Sequence, residues 1–119
     1  MARVRQEPTR YGYTHKVKIF SHPKPVSLYI TGNTYQDGRP SEIFCKVQKQ
    51  EWVWLDQWAM AISMLLQRGC TVDELVRNFA WSKFEPAGLT DNPAIHRADS
   101  LTDYVIRWLE LTFKKPETT

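Results

Sequence analysis

Trp52-Val53-Trp54-Leu55-Asp56-Gln57-Trp58-Ala59-Met60-Ala61-Ile62-Ser63-Met64-Leu65-Leu66-Gln67-Arg68 decides the fold of this chain. Leu55, Trp58, Ala59, Ile62, Leu65 and Leu66 recur at helical spacing and make one stripe, while Trp54, Ala61 and Met64 put apolar surface on other faces. A helix apolar on several sides needs cover on several sides. It is therefore expected to be the central helix, largely buried between a sheet and either other helices or a second subunit. Glu51 and Asp56 near its start and Arg68 near its end complement the helix dipole, and Gly69 offers a left-handed stop.

Upstream the period changes to two. Val17 and Ile19 alternate with polar residues, His22-Pro23-Lys24-Pro25 breaks the run, and Val26-Ser27-Leu28-Tyr29-Ile30-Thr31 resumes it. Glu42-Ile43-Phe44-Cys45-Lys46-Val47 follows the turn signal Gln36-Asp37-Gly38-Arg39. Downstream, Thr71-Val72-Asp73-Glu74 predicts a capping box, with Val72, Leu75, Val76 and Phe79 on the inward face of a short helix. Ser100-Leu101-Thr102-Asp103 predicts a second capped start, and Leu101, Tyr104, Val105, Trp108 and Leu111 stripe a last helix ending near Lys114, Lys115 and Pro116. The order predicts an α+β fold: an antiparallel β-meander of about three strands, then three helices on one face of the sheet.

Between the last two helices, Lys83-Phe84-Glu85-Pro86-Ala87-Gly88-Leu89-Thr90-Asp91-Asn92-Pro93 shows neither period. Compact domains seldom keep so long a connection without using it. An aromatic ring, both signs of charge, an amide and a hydroxyl there suit a polar ligand.

A length of 119 residues fits one domain, with five Trp, five Tyr and five Phe available to bury. Residues 1–15 read as a basic N-terminal arm, 16–115 as the domain and 116–119 as a tail. In the first 24 residues Arg3, Arg5, Arg10, Lys16, Lys18 and Lys24 face only Glu7, a pattern that fits either a solvated tail or an arm that follows phosphates. No apolar run approaches the roughly 20 residues of a membrane span, and Met-Ala-Arg-Val-Arg-Gln lacks a signal-peptide core, so no membrane partner and a cytoplasmic location are expected. Cys45, Cys70, His15, His22 and His96 are scattered without metal-ligand or redox spacing, and no metal or cofactor is expected.

Gly32 and Asp37-Gly38-Arg39-Pro40-Ser41-Glu42-Ile43-Phe44 in the hairpin, Ala59-Met60-Ala61-Ile62-Ser63-Met64-Leu65-Leu66-Gln67-Arg68-Gly69 in the helix, Phe84-Glu85-Pro86-Ala87-Gly88 in the connector and Ser100-Leu101-Thr102-Asp103-Tyr104 at the last helix occur in a telling order. Together they resemble the TSCPD domain of adenosylcobalamin-dependent (class II) ribonucleotide reductases, known also as small stand-alone proteins. The resemblance spans roughly residues 16–113. It implies no reductase chemistry in this chain, because in that family the radical-forming cysteine, the reducing cysteine pair and the cobalamin belong to a separate large barrel. The C-terminal thiol pair is missing too, since no cysteine follows Cys70, and Phe84-Glu85-Pro86 stands where some members carry a cysteine.

No serine or cysteine has the context of an activated nucleophile, and Asp73-Glu74 is explained by helix capping. Candidate ligand-binding residues are Lys83, Phe84, Glu85, Pro86, Thr90, Asp91 and Asn92, with Arg39, Arg97 and Arg107 as phosphate partners. Each also has a structural reading: Phe84 as core, Asp91-Asn92-Pro93 as a turn, Arg107 as a solvated helix residue. Three functions stay open. The first is a non-catalytic homo-oligomer that binds a nucleotide or cyclic nucleotide, as a viral anti-defence protein trapping such signals in the host cytoplasm would. The second is a regulatory subunit that docks on a separately encoded ribonucleotide reductase large chain. The third is a nucleic-acid binder that uses the basic arm.

Overall fold

A computed structural model describes residues 2–113. The meander forms as expected: β1 (Tyr11–Phe20), β2 (Val26–Thr34) and β3 (Pro40–Val47) pair antiparallel, with Val17 opposite Leu28 and Ile30 opposite Cys45. Alternation then sorts the side chains, since successive residues point to opposite faces of the sheet. Val17, Ile19, Leu28, Ile30, Ile43 and Val47 are buried on one face, while Lys16, Lys18, Phe20, Phe44 and Lys46 stand exposed on the other.

The helices α1 (Val53–Gln67), α2 (Val72–Phe79) and α3 (Leu101–Phe113) follow. Gly69 ends the first in the left-handed region, at φ 92°. Thr71 and Glu74 close the capping box on the second. Ser100 Oγ accepts the Asp103 N–H at 3.0 Å to cap the third. The expected end of α3 near Lys114, Lys115 and Pro116, and the tail 116–119, lie outside the described residues.

Burial is divided between the helices differently from the expectation. α3 is the buried helix, with Leu101 through Ile106, Trp108 and Leu109 all inside. α1 flanks the edge strand β3 instead, burying Leu55, Ala59, Ile62, Ser63, Leu66 and Gln67 and turning Val53, Trp54, Met60, Met64 and Leu65 outward. The physical reason is the sheet's size: β3 is its rim, and a helix on a rim has one covered side. Ser63 Oγ accepts the Ile43 N–H at 2.9 Å and faces the Ile43 carbonyl at 3.2 Å, so the outer edge of β3 is met by a side chain from α1.

The connector is not irregular. It contains β4 (Gly88–Thr90) and, with β5 (Arg97–Ala98), extends the sheet to five strands in the order β3-β2-β1-β4-β5. At Gly88 a Cβ would fall 2.6 Å from the Phe20 carbonyl oxygen, so only glycine lets the connector lie this close to β1. One buried carboxylate holds the rest: Asp103, fully buried, accepts the backbone N–H groups of Trp81 at 2.5 Å and Asp99 at 2.9 Å and pairs with Arg107 at 2.7 Å.

The arm is held as well. β1 already begins at Tyr11, ahead of the expected boundary at residue 16, because Gly12 through His15 find partners on β2. Before it, the Val4 N–H donates to the Gln67 carbonyl at 2.8 Å, and Arg10 forks onto Glu42 at 2.9 and 3.0 Å.

Removing Asp103 strands a buried guanidinium and two amide donors, so Asp103→Ala is expected to destabilise by about 3–5 kcal/mol. Thr71→Ala, which removes one exposed cap, is expected to cost about 1 kcal/mol. Urea midpoints of the two variants measure the comparison; equal losses would show that Asp103 is no anchor.

Candidate functional site

The connector's polar groups turn inward. Asp91 Oδ1 accepts the Lys18 N–H at 2.9 Å, and the Asp91 N–H donates to the Lys18 carbonyl at 3.1 Å, so this residue prolongs the ladder beyond β4. Thr90 Oγ1 accepts the Asn92 N–H at 3.1 Å and donates to the Ile95 carbonyl, closing the turn that leads to β5. Asn92 Oδ1 accepts the Ala94 N–H at 3.0 Å, while its Nδ2 donates to Tyr104 Oη at 2.9 Å.

Tyr104 Oη in turn lies 2.7 Å from Nε2 of His15, which completes a hydrogen-bonded chain from Asn92 to His15. Its ring stacks on Tyr104 and on Trp108, with centroids 6.0 and 5.7 Å apart. Burial of the ring lowers the His15 pKa below its usual 6.5, opposed in part by the charge of Asp91. Burial, the larger cause, pushes the Tyr104 hydroxyl up.

The ten sequence-predicted residues do not converge. Thr90, Asp91 and Asn92 are engaged as described. Arg107 lies 4.0 Å over the Trp81 ring, pairs with Asp103 and donates to the Arg97 carbonyl, so its guanidinium is already enclosed. Lys83, Phe84 and Glu85 are exposed and Pro86 is half-buried, with Phe84 edge-on to Trp54 at 6.0 Å. Arg97 projects from the open sheet face and meets Asp99 at 3.5 Å. Arg39 sits at the other end of α3, roughly 10–15 Å along its axis by helical rise. There it pairs with Asp37 at 2.7 Å and lines a cleft of about 350 Å³ with Cys70, Thr71, Asp73, Glu110 and Phe113.

Burial drives the Cys45 thiol up to about 12, with the charge of Asp56 adding to it. Cys70 is raised for the same two kinds of reason, with burial first and Glu74 second. Neither is a thiolate at neutral pH.

What sequence reasoning missed is the two-sided chemistry of the sheet. The helix-covered side carries the His15–Tyr104–Asn92 chain. The open side carries Tyr29 between Lys16 and Lys46 on adjacent strands. The signal was present in the alternation Lys16, Lys18, Phe20 between the buried Val17 and Ile19.

Fold and site together define a small α+β domain with helices on one sheet face and its buried polar groups engaged in structure. The family model described as TSCPD domain matches residues 3–113, and the chain belongs to that family. It is similar to curated proteins called vitamin B12-dependent ribonucleotide reductase. Identity is 36% with that of Rhodopirellula baltica over 93% of this chain and 11% of that protein. It is 40% with that of Streptantibioticus cattleyicolor over 76% of this chain and 16% of that protein, and 37% with that of Agrobacterium fabrum over 87% and 8%. The chain thus spans about a tenth of the length of the curated relatives it matches. No solved structure gives a significant match.

Because folding lowers the His15 pKa, the unfolded chain takes up this proton first as pH falls. The stability tied to neutral His15 is complete above 6.5 and is lost as pH drops through the lower folded value. Urea midpoints measured from roughly pH 7 to 5 should fall more steeply for the parent protein than for His15→Gln, which keeps an acceptor for Tyr104 and does not titrate.

Proposed function

We propose that the chain is a non-catalytic docking module that binds the large chain of a vitamin B12-dependent ribonucleotide reductase through the outward side of α1. One observation carries the reading. At 100° per residue, Val53, Trp54, Met60, Ala61, Met64 and Leu65 fall on a single side of the helix, interrupted only by Gln57 and Arg68. Val53 is 67% exposed, Met60 57% and Trp54 42%. Phe84 extends the surface from the connector by its edge contact with Trp54.

A contiguous apolar surface on a small domain marks a contact site, and Trp and Met are enriched in such sites. Asp103 and Arg107 lie on α3, and the core residues of α1 face the other way, so its outward side is free of structural duty. The partner is suggested by kinship, since the relatives carry this domain as a small part of a reductase chain. A second copy of this chain would meet the same surface, which makes a homodimer the competing occupant. No helix among the described residues is long and apolar enough to cross a membrane, and we place the encounter in the cytoplasm.

The nucleotide reading, with its sequestering and anti-defence corollaries, asks for a recess at residues 83–93. It has less support, because Thr90, Asp91 and Asn92 are turned to backbone and Tyr104, and Arg107 to Asp103.

Co-purification of the tagged chain with a reductase large chain stripped of its own TSCPD domain is the expected outcome, and the double variant Met60→Glu/Met64→Glu should abolish it while keeping the parent's circular dichroism. Sedimentation of the isolated chain distinguishes the homodimer. Calorimetric binding of a nucleotide or cyclic dinucleotide, lost in Asn92→Ala, would instead favour the ligand reading.

A further inference from the structure

We infer that the open face of the sheet is a platform for single-stranded nucleic acid. The inference does not rest on the docking surface, which lies on α1. Three helices cover one side of the sheet, and the strand register fixes what the other side displays. Across β3, β2 and β1, Lys46, Tyr29 and Lys16 stand in one row. The neighbouring row is Phe44, Thr31 and Thr14, and at the far end Phe20 stands beside Leu89.

The rings are available. Phe44 is 52% exposed and Phe20 50%, and Tyr29 is half-buried between lysines. Phe44 and Tyr29 are diagonal neighbours, about 7–8 Å apart. Phe20 lies roughly 14 Å further, by strand spacing and rise. The three rings thus run obliquely from β3 to β1, along a track that a short extended strand can follow.

Cations accompany the rings. Lys16 Nζ is 5.5 Å from the Tyr29 centroid, and Lys18 Nζ is 6.0 Å from that of Phe20. A base stacked on a ring places its phosphate within reach of the adjoining ammonium. The acidic groups of this face do not cancel the field. Glu42 is 5% exposed and clasped by Arg10 and Asn33, and Asp99 is met by Arg97. Asp91, at the rim, is held to the Lys18 backbone.

Rings spaced among lysines and threonines match unpaired bases joined by phosphates better than they match a protein or a lipid surface. A duplex keeps its bases inside the stack and has no faces to offer. Of the arm's arginines, Arg3 and Arg10 are already engaged by Gln67 and Glu42.

The test is fluorescence anisotropy of the full chain with labelled oligo-dT and oligo-U of about 12 nucleotides, at several salt concentrations. Binding is expected, weaker for a duplex of equal length and for heparin. Tyr29→Ala should lower affinity by about 5- to 150-fold. Lys16→Gln and Lys46→Gln should each reduce the salt slope by about 0.7. All three side chains point outward, and unchanged circular dichroism confirms that the variants are folded. Absence of binding at low salt, indifference to Tyr29→Ala, equal affinity for heparin, or binding only to anionic vesicles would each overturn the inference.

Discussion

Asp103 is the constraint from which the second half of the molecule is organised. A carboxylate with no exposed surface must be matched by donors, and the donors it gathers come from three places: the end of α2 at Trp81, the approach to α3 at Asp99 and the helix itself at Arg107. By fixing both ends of the connector it brings Gly88–Thr90 alongside β1, where the ladder bonds of Thr90 and Asp91 complete the attachment. Arg107 is then closed in by the Trp81 ring and the Arg97 carbonyl. A residue type suited to phosphate capture has become a cross-brace.

The same organisation separates the molecule's surfaces by chemistry. Under the helices, His15 sits between Tyr104 and Trp108 with its pKa lowered by burial, and the buried side-chain polar atoms among the described residues all have partners. On the outside, α1 shows hydrocarbon and sulfur, while the open sheet face shows rings and ammonium groups. These two outward surfaces belong to different elements, so each can change without disturbing the other or the interior.

The period-two runs and the helical stripes were legible because burial on one side writes itself directly into residue order. Capping at Thr71 and Ser100 and the stop at Gly69 were legible for a similar reason, since each is a local bond within a few residues. β4 and β5 were not: three and two residues are too short to display a period, and β4 exists through contacts with β1 some seventy residues away while β5 exists through β4. The composition of Lys83–Asn92 suggested a ligand because Thr, Asp and Asn serve turns and ligands equally well, and only the partners of their side chains distinguish the two. The helix apolar on several sides was expected at the centre and largely buried, whereas it lies at the rim with one side exposed, a place set by a sheet order that the alternation does not encode.

Ser63 has one more consequence. A bare outer strand invites another extended chain to add on, and this domain has two such borders. At β3 the main-chain groups of Ile43 are occupied by a hydroxyl delivered from α1, and at the opposite border β5 is only two residues long. Growth at the β3 border would have to displace that hydroxyl and at the β5 border would find only two residues, so edge-to-edge addition is disfavoured at both.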